Sequence, residues 1–298
     1  MTRSSLSDPA RTRSRLRCTP PLAAEELFGF LGARTIPGVE VFDGRTFRRS
    51  VRVDDAAAIV SLSPDDAGTS VELEIDATDA ASVAERAGRL LDVETDPGPI
   101  EAVLAADPEL RPLVRARPGV RVPGTVDGFE LAVRAVLGQQ ISVKGARTIA
   151  GRIVAVTGTV LAPDEAVEGV THLFPTPEQL AAASLDGLGL TGARISTLRR
   201  LAELAATKEL DLSGRTSAEV ALDRLRSIPG IGPWTTAYVA MRAFHDADAF
   251  PADDLGIRAG MAALGMPTTR AAIRDRAERW RPWRAYAAMH LWLAPHTT

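Results

Sequence analysis

The chain has 298 residues, a formal net charge of −3, and 45% hydrophobic and 24% charged residues, a composition that excludes collagen-like and intrinsically disordered classes. No apolar run reaches the roughly 18 residues that span a bilayer, and no apolar core follows the arginines of MTRSSLSDPARTRSRLR, so no secretory leader is expected. A lone cysteine, Cys18, excludes an internal disulfide, a Cys₄ zinc site and a Cys-ligated iron–sulfur cluster, and fits a reducing compartment.

In chain order, residues 1–20 read as a flexible basic tail, residues 21–105 as an α/β domain and residues 106–298 as a helical domain. LAAEELFGFLGAR (22–34) has helical spacing. VEVF and TFRRSVRV flank Asp43-Gly44, a strong hairpin signal. AAIVSLS and TSVELEID continue the sheet, the latter by strict alternation, and Asp79 to Leu91 returns to helical spacing. The expectation is a small antiparallel sheet with helices on one face.

Beyond Pro97 no strand signal remains, and the rest is expected to be all helical. Asp127 with Glu130 three residues on has the form of a capping box before GFELAVRAVLG. SVKGARTIAGRIVAVTG forms the next helix, and Thr176-Pro177 opens another with Pro at its first position. GARISTLRRLAELAAT, SAEVALDRLRSI and PWTTAYVAMRAF follow, then helices over about Thr269–Arg279 and Arg284–Leu293. No solenoid repeat is present.

Acid gathers between Asp54 and Asp107. Base gathers at Arg194, Arg199 and Arg200 and from Arg270 to Arg284. Taken alone, the net charge counts mildly against nucleic-acid binding, yet this division leaves a cationic face available to phosphate.

The most informative stretch is LRSIPGIGPWTTAYVAMRAF (225–244). A helix ends at Ile228, Pro229-Gly230-Ile231-Gly232 makes a tight turn, and a helix starts near Pro233. Both glycines are expected to permit positive φ and close backbone approach, and Ile231 to plug the turn into the core. The free N–H groups and dipole of the second helix attract an anion. The result is a backbone clamp for one DNA phosphate that needs no basic side chain.

This segment resembles the helix-hairpin-helix element of the endonuclease III superfamily of DNA glycosylases. VPGTVDGFELAVRAVLGQQIS (122–142), FPTPEQLAAA (174–183), DADAFPADDLGIRAGM after the hairpin and AERWRPWRAYAAMHLW (277–292) extend the resemblance over nearly the whole chain, and narrow it to the alkylation-repair, AlkA-type branch, DNA-3-methyladenine glycosylase II. The resemblance implies an α+β fold: a small antiparallel-sheet N-terminal domain followed by a two-lobed, all-helical glycosylase domain with the active-site cleft between its lobes. It implies excision of alkylated bases from double-stranded DNA, with Asp254 as catalytic carboxylate. Asp253 is read instead as the N-cap of the helix beginning LGIRAG.

A carboxylate beside the sugar stabilises an oxocarbenium-like transition state and can orient the attacking water. A cationic alkylated purine leaves as a neutral base, so one carboxylate suffices. Relatives that also cut the strand carry a lysine where this chain has Trp234, which cannot form a Schiff base, so a monofunctional enzyme is expected. The resemblance further places Trp234, Tyr238, Trp292, Phe30 and Arg34 at the base pocket, where aromatic faces attract a cationic base, and Trp280 and Trp283 in the core. It places Gln140, with Ile141 in support, at the wedge that fills the gap left by the flipped base. The familiar form of the family has leucine there, so Gln140 is a departure. Pro229, Gly230, Ile231, Gly232 and Thr235 are expected to contact DNA.

The backbone carbonyls of Arg226, Ile228 and Gly230 are expected to hold a structural Na⁺ or K⁺; no other cofactor is expected. His172, His245, His290 and His296 lack metal-ligand spacing. A monomer acting in the cytoplasm, on the nucleoid, with no membrane partner, completes the reading. Its alternatives are a glycosylase for another damaged base, a non-catalytic hairpin module that needs no carboxylate at 254, and a regulatory protein, since relatives can be fused to an alkyl-transfer domain. No such domain is expected before residue 20, where the basic tail would be its remnant linker.

Overall fold

The computed structural model describes residues 12–54, 56–77 and 79–294. Five strands form one antiparallel sheet: β1 (Thr12–Arg17), β2 (Glu40–Phe42), β3 (Phe47–Val53), β4 (Ala56–Pro64) and β5 (Ser70–Asp76), in spatial order β1-β5-β4-β3-β2. The alternation of β5 buries Val71, Leu73 and Ile75, while Glu72 and Glu74 face outward. These two glutamates pair with Arg15 and Arg13 across the β1 register.

β1 lies within the segment expected to be a flexible tail. That reading is corrected for residues 12–17, while residues 1–11 lie outside the described part. An edge strand that turns arginines to solvent buries too little apolar surface to show a period-2 signal. Helices α1 (Ala24–Gly32) and α2 (Ala80–Leu91) supply Leu27, Phe28 and Leu31, and Val83, Ala87, Leu90 and Leu91, to the core over the sheet.

Helices α3 (Pro97–Leu104) and α4 (Arg111–Ala116) lead to α5 (Gly128–Gly138) and α6 (Val143–Thr157). A two-stranded ribbon follows, β6 (Thr159–Val160) with β7 (His172–Leu173), where only helix was expected. Two-residue strands are too short for any periodicity to reveal. The ribbon docks on the sheet domain through Ser50, whose hydroxyl donates to the His172 carbonyl at 2.6 Å, and through a cluster of Ile59, Leu161, Val170 and Leu173.

The remaining helices are α7 (Pro177–Ala182), α8 (Gly192–Ala206), α9 (Ala218–Arg226), α10 (Pro233–Ala243), α11 (Leu255–Ala263), α12 (Arg270–Ala277) and α13 (Arg284–Trp292), with a 3₁₀ turn at Glu278–Trp280. Around α5 they bury one large apolar core containing Leu131, Val136, Leu201, Leu225, Met261 and Trp280. Trp280 is fully buried, and Trp283 packs edge-on to Tyr286. No helix among the described residues is long and apolar enough to cross a membrane.

Asp127 caps α5 by accepting from the Glu130 N–H, but the Glu130 side chain does not return the bond. It is held instead by Arg49 and Arg134, both of which also contact Glu40. The capping box is therefore only half formed, because two arginine charges outcompete one backbone N–H for a buried carboxylate. This network joins β2 and β3 to α5, fixing the sheet domain against the helices. Burial alone would raise the Glu130 pKa, but Arg49 and Arg134 hold it below the usual range.

Candidate active site

The hairpin between α9 and α10 is closed by the Ile231 N–H donating to the Ile228 carbonyl at 3.0 Å. Ile231 is buried in the helical core. Gly230 has φ +91°, and a Cβ there would lie 2.2 Å from Thr197 Oγ1, the hydroxyl that donates to the Pro229 carbonyl at 2.8 Å. Glycine is thus required at 230 by both conformation and space. Gly232 differs from expectation: its backbone is extended, at φ −104° and ψ −177°, as the N-cap of α10. A helix start leaves the first N–H groups without intrahelical partners.

Gly230, Gly232, Trp234 and Asp254 line one cavity of about 990 Å³, shared with Tyr238 and Trp292. Asp254 stands at the start of α11 and is half-buried. Its Oδ1 accepts from the Ile257 backbone N–H at 2.9 Å and from Trp292 Nε1 at 2.8 Å. Its Oδ2 accepts from Trp234 Nε1 at 2.7 Å. Three N–H donors from α11, α13 and α10 therefore fix one carboxylate. Gly256 makes this possible, since a Cβ there would lie 2.9 Å from Trp292 Cδ1 and 3.0 Å from Asp254 Oδ1.

Asp254, not Asp253, is the N-cap of α11. Asp253 also borders the cavity but pairs with Arg270 and Arg274. The reversal follows from the aromatic donors: a carboxylate that accepts from two indoles must sit where its helix begins, and its neighbour is left to the exterior arginines.

Trp234 and Tyr238 stack at 5.3 Å with 13° between planes, and Trp292 is tilted 57° from Tyr238 at 6.2 Å. Both tryptophans were expected for their faces alone, and their N–H edges were missed. Phe30 is buried beneath Arg34, whose guanidinium carbon lies 3.6 Å from the ring centroid. That cation covers a Phe30 face, and Phe30 borders a smaller neighbouring cavity, not the one that holds Asp254. Arg242 was also missed. It donates to Tyr238 Oη at 2.6 Å and to the carbonyls of Pro123 and Gly124. Its place four residues after Tyr238 on one helix face was the available signal.

Gln140 sits exposed at the cavity mouth, with φ +59°, beside the exposed Ile141. Gln139 went unnoticed in the sequence. Its Nε2 donates to the Gly230 carbonyl at 3.0 Å and to Thr235 Oγ1 at 2.9 Å, and its own carbonyl accepts from Arg194 at 2.6 Å. The loop before α6 is thereby welded to the hairpin. Thr235 is almost fully buried, so its hydroxyl serves this weld instead of facing DNA.

The carbonyls of Ile228 and Gly230 each accept one hydrogen bond within the protein and keep a second lone pair. Neutral carbonyl oxygens of this kind suit a monovalent cation. Among the described residues, no group of three or more His, Cys, Asp or Glu could hold a metal ion. His172 bonds Thr171, while His245 and His290 pack in the interior; His296 lies outside the described residues.

Five of the late arginines are paired and add nothing to an open cationic face, while Arg279 is exposed. Arg270 and Arg274 pair with Asp253, Arg276 with Asp107 and Glu109, and Arg281 and Arg284 with Asp248 and Glu278. Acids scattered elsewhere in the sequence fold back to neutralise them.

A glycine hairpin set against a cleft that holds a helix-capping aspartate defines the helix-hairpin-helix class of base-excision proteins. The chain belongs to the HhH-GPD superfamily of base excision DNA repair proteins, whose model matches residues 133–285. Residues 13–127 match the AlkA N-terminal domain, which assigns it to the AlkA branch. It is 35% identical over 283 residues to DNA-3-methyladenine glycosylase 2 of Escherichia coli, covering 93% of this chain and 95% of that protein. It is 42% identical over 279 residues to the Mycobacterium tuberculosis protein named "Probable bifunctional transcriptional activator/DNA repair enzyme AlkA", covering 93% of this chain but spanning only 56% of that protein's length. Among solved structures, the 3-methyladenine DNA glycosylase of Archaeoglobus fulgidus superposes with a TM-score of 0.80 at 25% identity, covering 94% of this chain and 97% of that one.

Proposed function

We propose that the chain is a monofunctional DNA glycosylase that hydrolyses the N-glycosidic bond of alkylated bases in duplex DNA, leaving an abasic site for base excision repair. The observation that carries this is the Asp254 carboxylate, fixed by three N–H donors on the wall of a cavity it shares with the hairpin glycines. The names of the relatives support the substrate class: 3-methyladenine glycosylases, among them the Schizosaccharomyces pombe enzyme solved with abasic DNA, which matches at a TM-score of 0.55 and 27% identity, over 65% of this chain and 95% of that one.

The hairpin N–H groups grip a phosphate and the damaged nucleotide rotates into the cavity. Oδ1 of Asp254 already accepts two hydrogen bonds and Oδ2 one. The open lone pair on Oδ2 faces the deoxyribose, where it stabilises positive charge as the bond to the base lengthens and orients the incoming water. Gln140 and Ile141, exposed at the mouth, fill the vacated stack. No amine stands at position 234 to attack the sugar, so strand cleavage is not expected. A Na⁺ or K⁺ held by the carbonyls of Arg226, Ile228 and Gly230 would link hairpin to phosphate and takes no part in the chemistry. The enzyme acts as a monomer on the nucleoid in the cytoplasm.

Incubation with alkylated duplex DNA tests the reading. Wild type is expected to release free base and create alkali-labile sites, and Asp254→Asn to lose both. Equal release by the two proteins removes Asp254 from the mechanism, and strand breaks without alkali overturn the monofunctional assignment.

A further inference from the structure

The loop that carries Gln140 is held in a conformation its sequence does not favour. Gln139 leaves α5 with φ −60° and ψ 121°, and Gln140 follows at φ +59°. These are the dihedrals of a type II turn, whose third residue needs positive φ and is normally glycine or asparagine. Glutamine is neither, and its Cβ strains the left-handed conformation. An easier alternative lies one rotation away. Turning the single peptide between residues 139 and 140 by about half a turn gives a type I turn, in which residue 140 has an ordinary negative φ. A contact from outside the loop must therefore choose between the two.

Arg194 makes that contact. Its Nη2 donates at 2.6 Å to the carbonyl of Gln139, the oxygen of the peptide whose rotation distinguishes the two turns. Rotation would carry this oxygen to the other side of the loop and break the bond. The donor is a guanidinium, so the bond is charge-assisted. Its base is firm. Arg194 lies in the first turn of α8, where its backbone N–H donates to Thr191 Oγ1 at 3.3 Å, and α8 is tied to the hairpin by the Thr197 hydroxyl on the Pro229 carbonyl. The Gln139 amide is held from the other side by Gly230 and Thr235. Residue 139 is thus fixed at its side chain and its carbonyl, and Ile141 lies against Gly145 of α6. Between them Gln140 stays exposed at the cavity mouth.

We propose that Arg194 is a positioning residue for base extrusion: by holding the peptide between residues 139 and 140, it selects the left-handed turn that presents the Gln140 side chain to the duplex. The proposal rests on the glycosylase reading above, in which Gln140 fills the gap left by the flipped nucleotide. Without the Arg194 bond the turn relaxes toward its easier form, and the Cβ of residue 140 swings away from the mouth. The gap is then filled less often, and return of the base to the stack competes with its capture in the cavity. Arg194 is not part of the wall of the cavity that holds Asp254, so a nucleotide that is already unpaired has no need of it.

The test measures single-turnover excision of 7-methylguanine from a duplex and from the same strand without its complement. The duplex-to-single-strand ratio is expected to fall about tenfold in Arg194→Met, the effect of losing one charge-assisted hydrogen bond, and to fall also in Gln140→Ala. The double variant is expected to fall no further than the more affected single one, because both changes remove the same wedge. Arg194→Lys keeps the charge without the guanidinium fork. It is expected to lose part of the ratio, and it reads the bond even if Arg194→Met folds poorly. Normal wild-type release with the ratio unchanged in the Arg194 variants or in Gln140→Ala overturns the positioning role and leaves the glycosylase reading standing. Equal slowing on both substrates, or a double variant whose loss is the product of the single losses, overturns it as well, since Arg194 would then act apart from Gln140. Release of no base by wild type from either substrate overturns the glycosylase reading and the proposal with it.

Discussion

Two charge clusters in this protein have opposite characters. At the junction of sheet and helices, Glu40, Arg49, Glu130 and Arg134 are buried with every charge answered by its opposite. In the cleft, Asp254 accepts hydrogen bonds only from neutral N–H donors, and Arg34, which feels the Asp254 charge, makes no close ion pair. A buried charge is costly unless paired. Where pairing is complete, the cluster can only hold the fold together. Where it is incomplete, the unanswered polarity is available to a substrate.

The sharpest way to break this contrast is to remove one member of the closed cluster. Glu130→Ala leaves two guanidinium groups sharing Glu40 alone, and it is expected to destabilise the protein by about 3–5 kcal/mol, read from denaturant midpoints. A loss below about 1 kcal/mol would mean that water reaches the junction and that its compensation is superficial. The same treatment of the cleft should act on chemistry. Asp254→Asn keeps a good N-cap residue at the start of α11 but removes the charge, so excision should fall roughly 100- to 1000-fold while the denaturation midpoint barely moves. A variant that unfolds instead would place Asp254 with the structural cluster.

His290 tests whether lack of compensation alone marks a site. It is buried on α13 two residues before Trp292, and its Nδ1 has no partner. Burial first, then repulsion from Arg117, lowers its pKa from 6.5 to about 4. Above pH 6.5 both native and unfolded forms are neutral there, so stability does not depend on this group. Between 6.5 and 4 the unfolded chain binds a proton that the native state refuses. Stability should therefore fall as pH drops through that window, by up to about 3 kcal/mol. His290→Leu should flatten the profile without changing the excision rate at pH 7.5. A profile equally steep in that variant assigns the acid sensitivity to other groups.

Closer to the reaction, Trp292→Phe keeps a ring in place but deletes one hydrogen bond to Asp254 Oδ1. A roughly tenfold drop in kcat, with KM little changed, is expected for a lost bond to a charged group. A rise in KM alone would show that Trp292 acts through its face and not its edge.

Much of this could be read from the chain because it depends on local spacing. The alternation of TSVELEID set β5, and Ile228 to Trp234 spelled out a turn followed by a helix start. The hairpin and its aspartate were reached by resemblance to known sequences. What escaped notice depends on contacts between distant segments. Gln139 looks like a polar residue at a helix end, and only the fold brings its amide to Gly230 and Thr235. Asp107 is 169 residues from Arg276, so no window could show that the late arginines are neutralised. The indole N–H bonds to Asp254 join residues 20 and 38 positions away, which is why both tryptophans were read for their faces.

The smallest expected effect is the most discriminating, because it concerns the residue beside the catalytic candidate. Asp253 and Asp254 are chemically identical neighbours. Asp253 pairs with Arg270 and Arg274, whose side chains are 64% and 57% exposed, and exposed pairs contribute at most about 1 kcal/mol. Asp253→Asn should therefore shift stability by less than that and excision by less than about twofold, against the loss of two or more orders of magnitude expected one position later. If the two substitutions proved equally damaging, the carboxylates would act as a pair, and the difference drawn here between neutral and ionic partners would not separate function from structure. If only the second mattered, the two indole donors would be what distinguishes Asp254 from its neighbour.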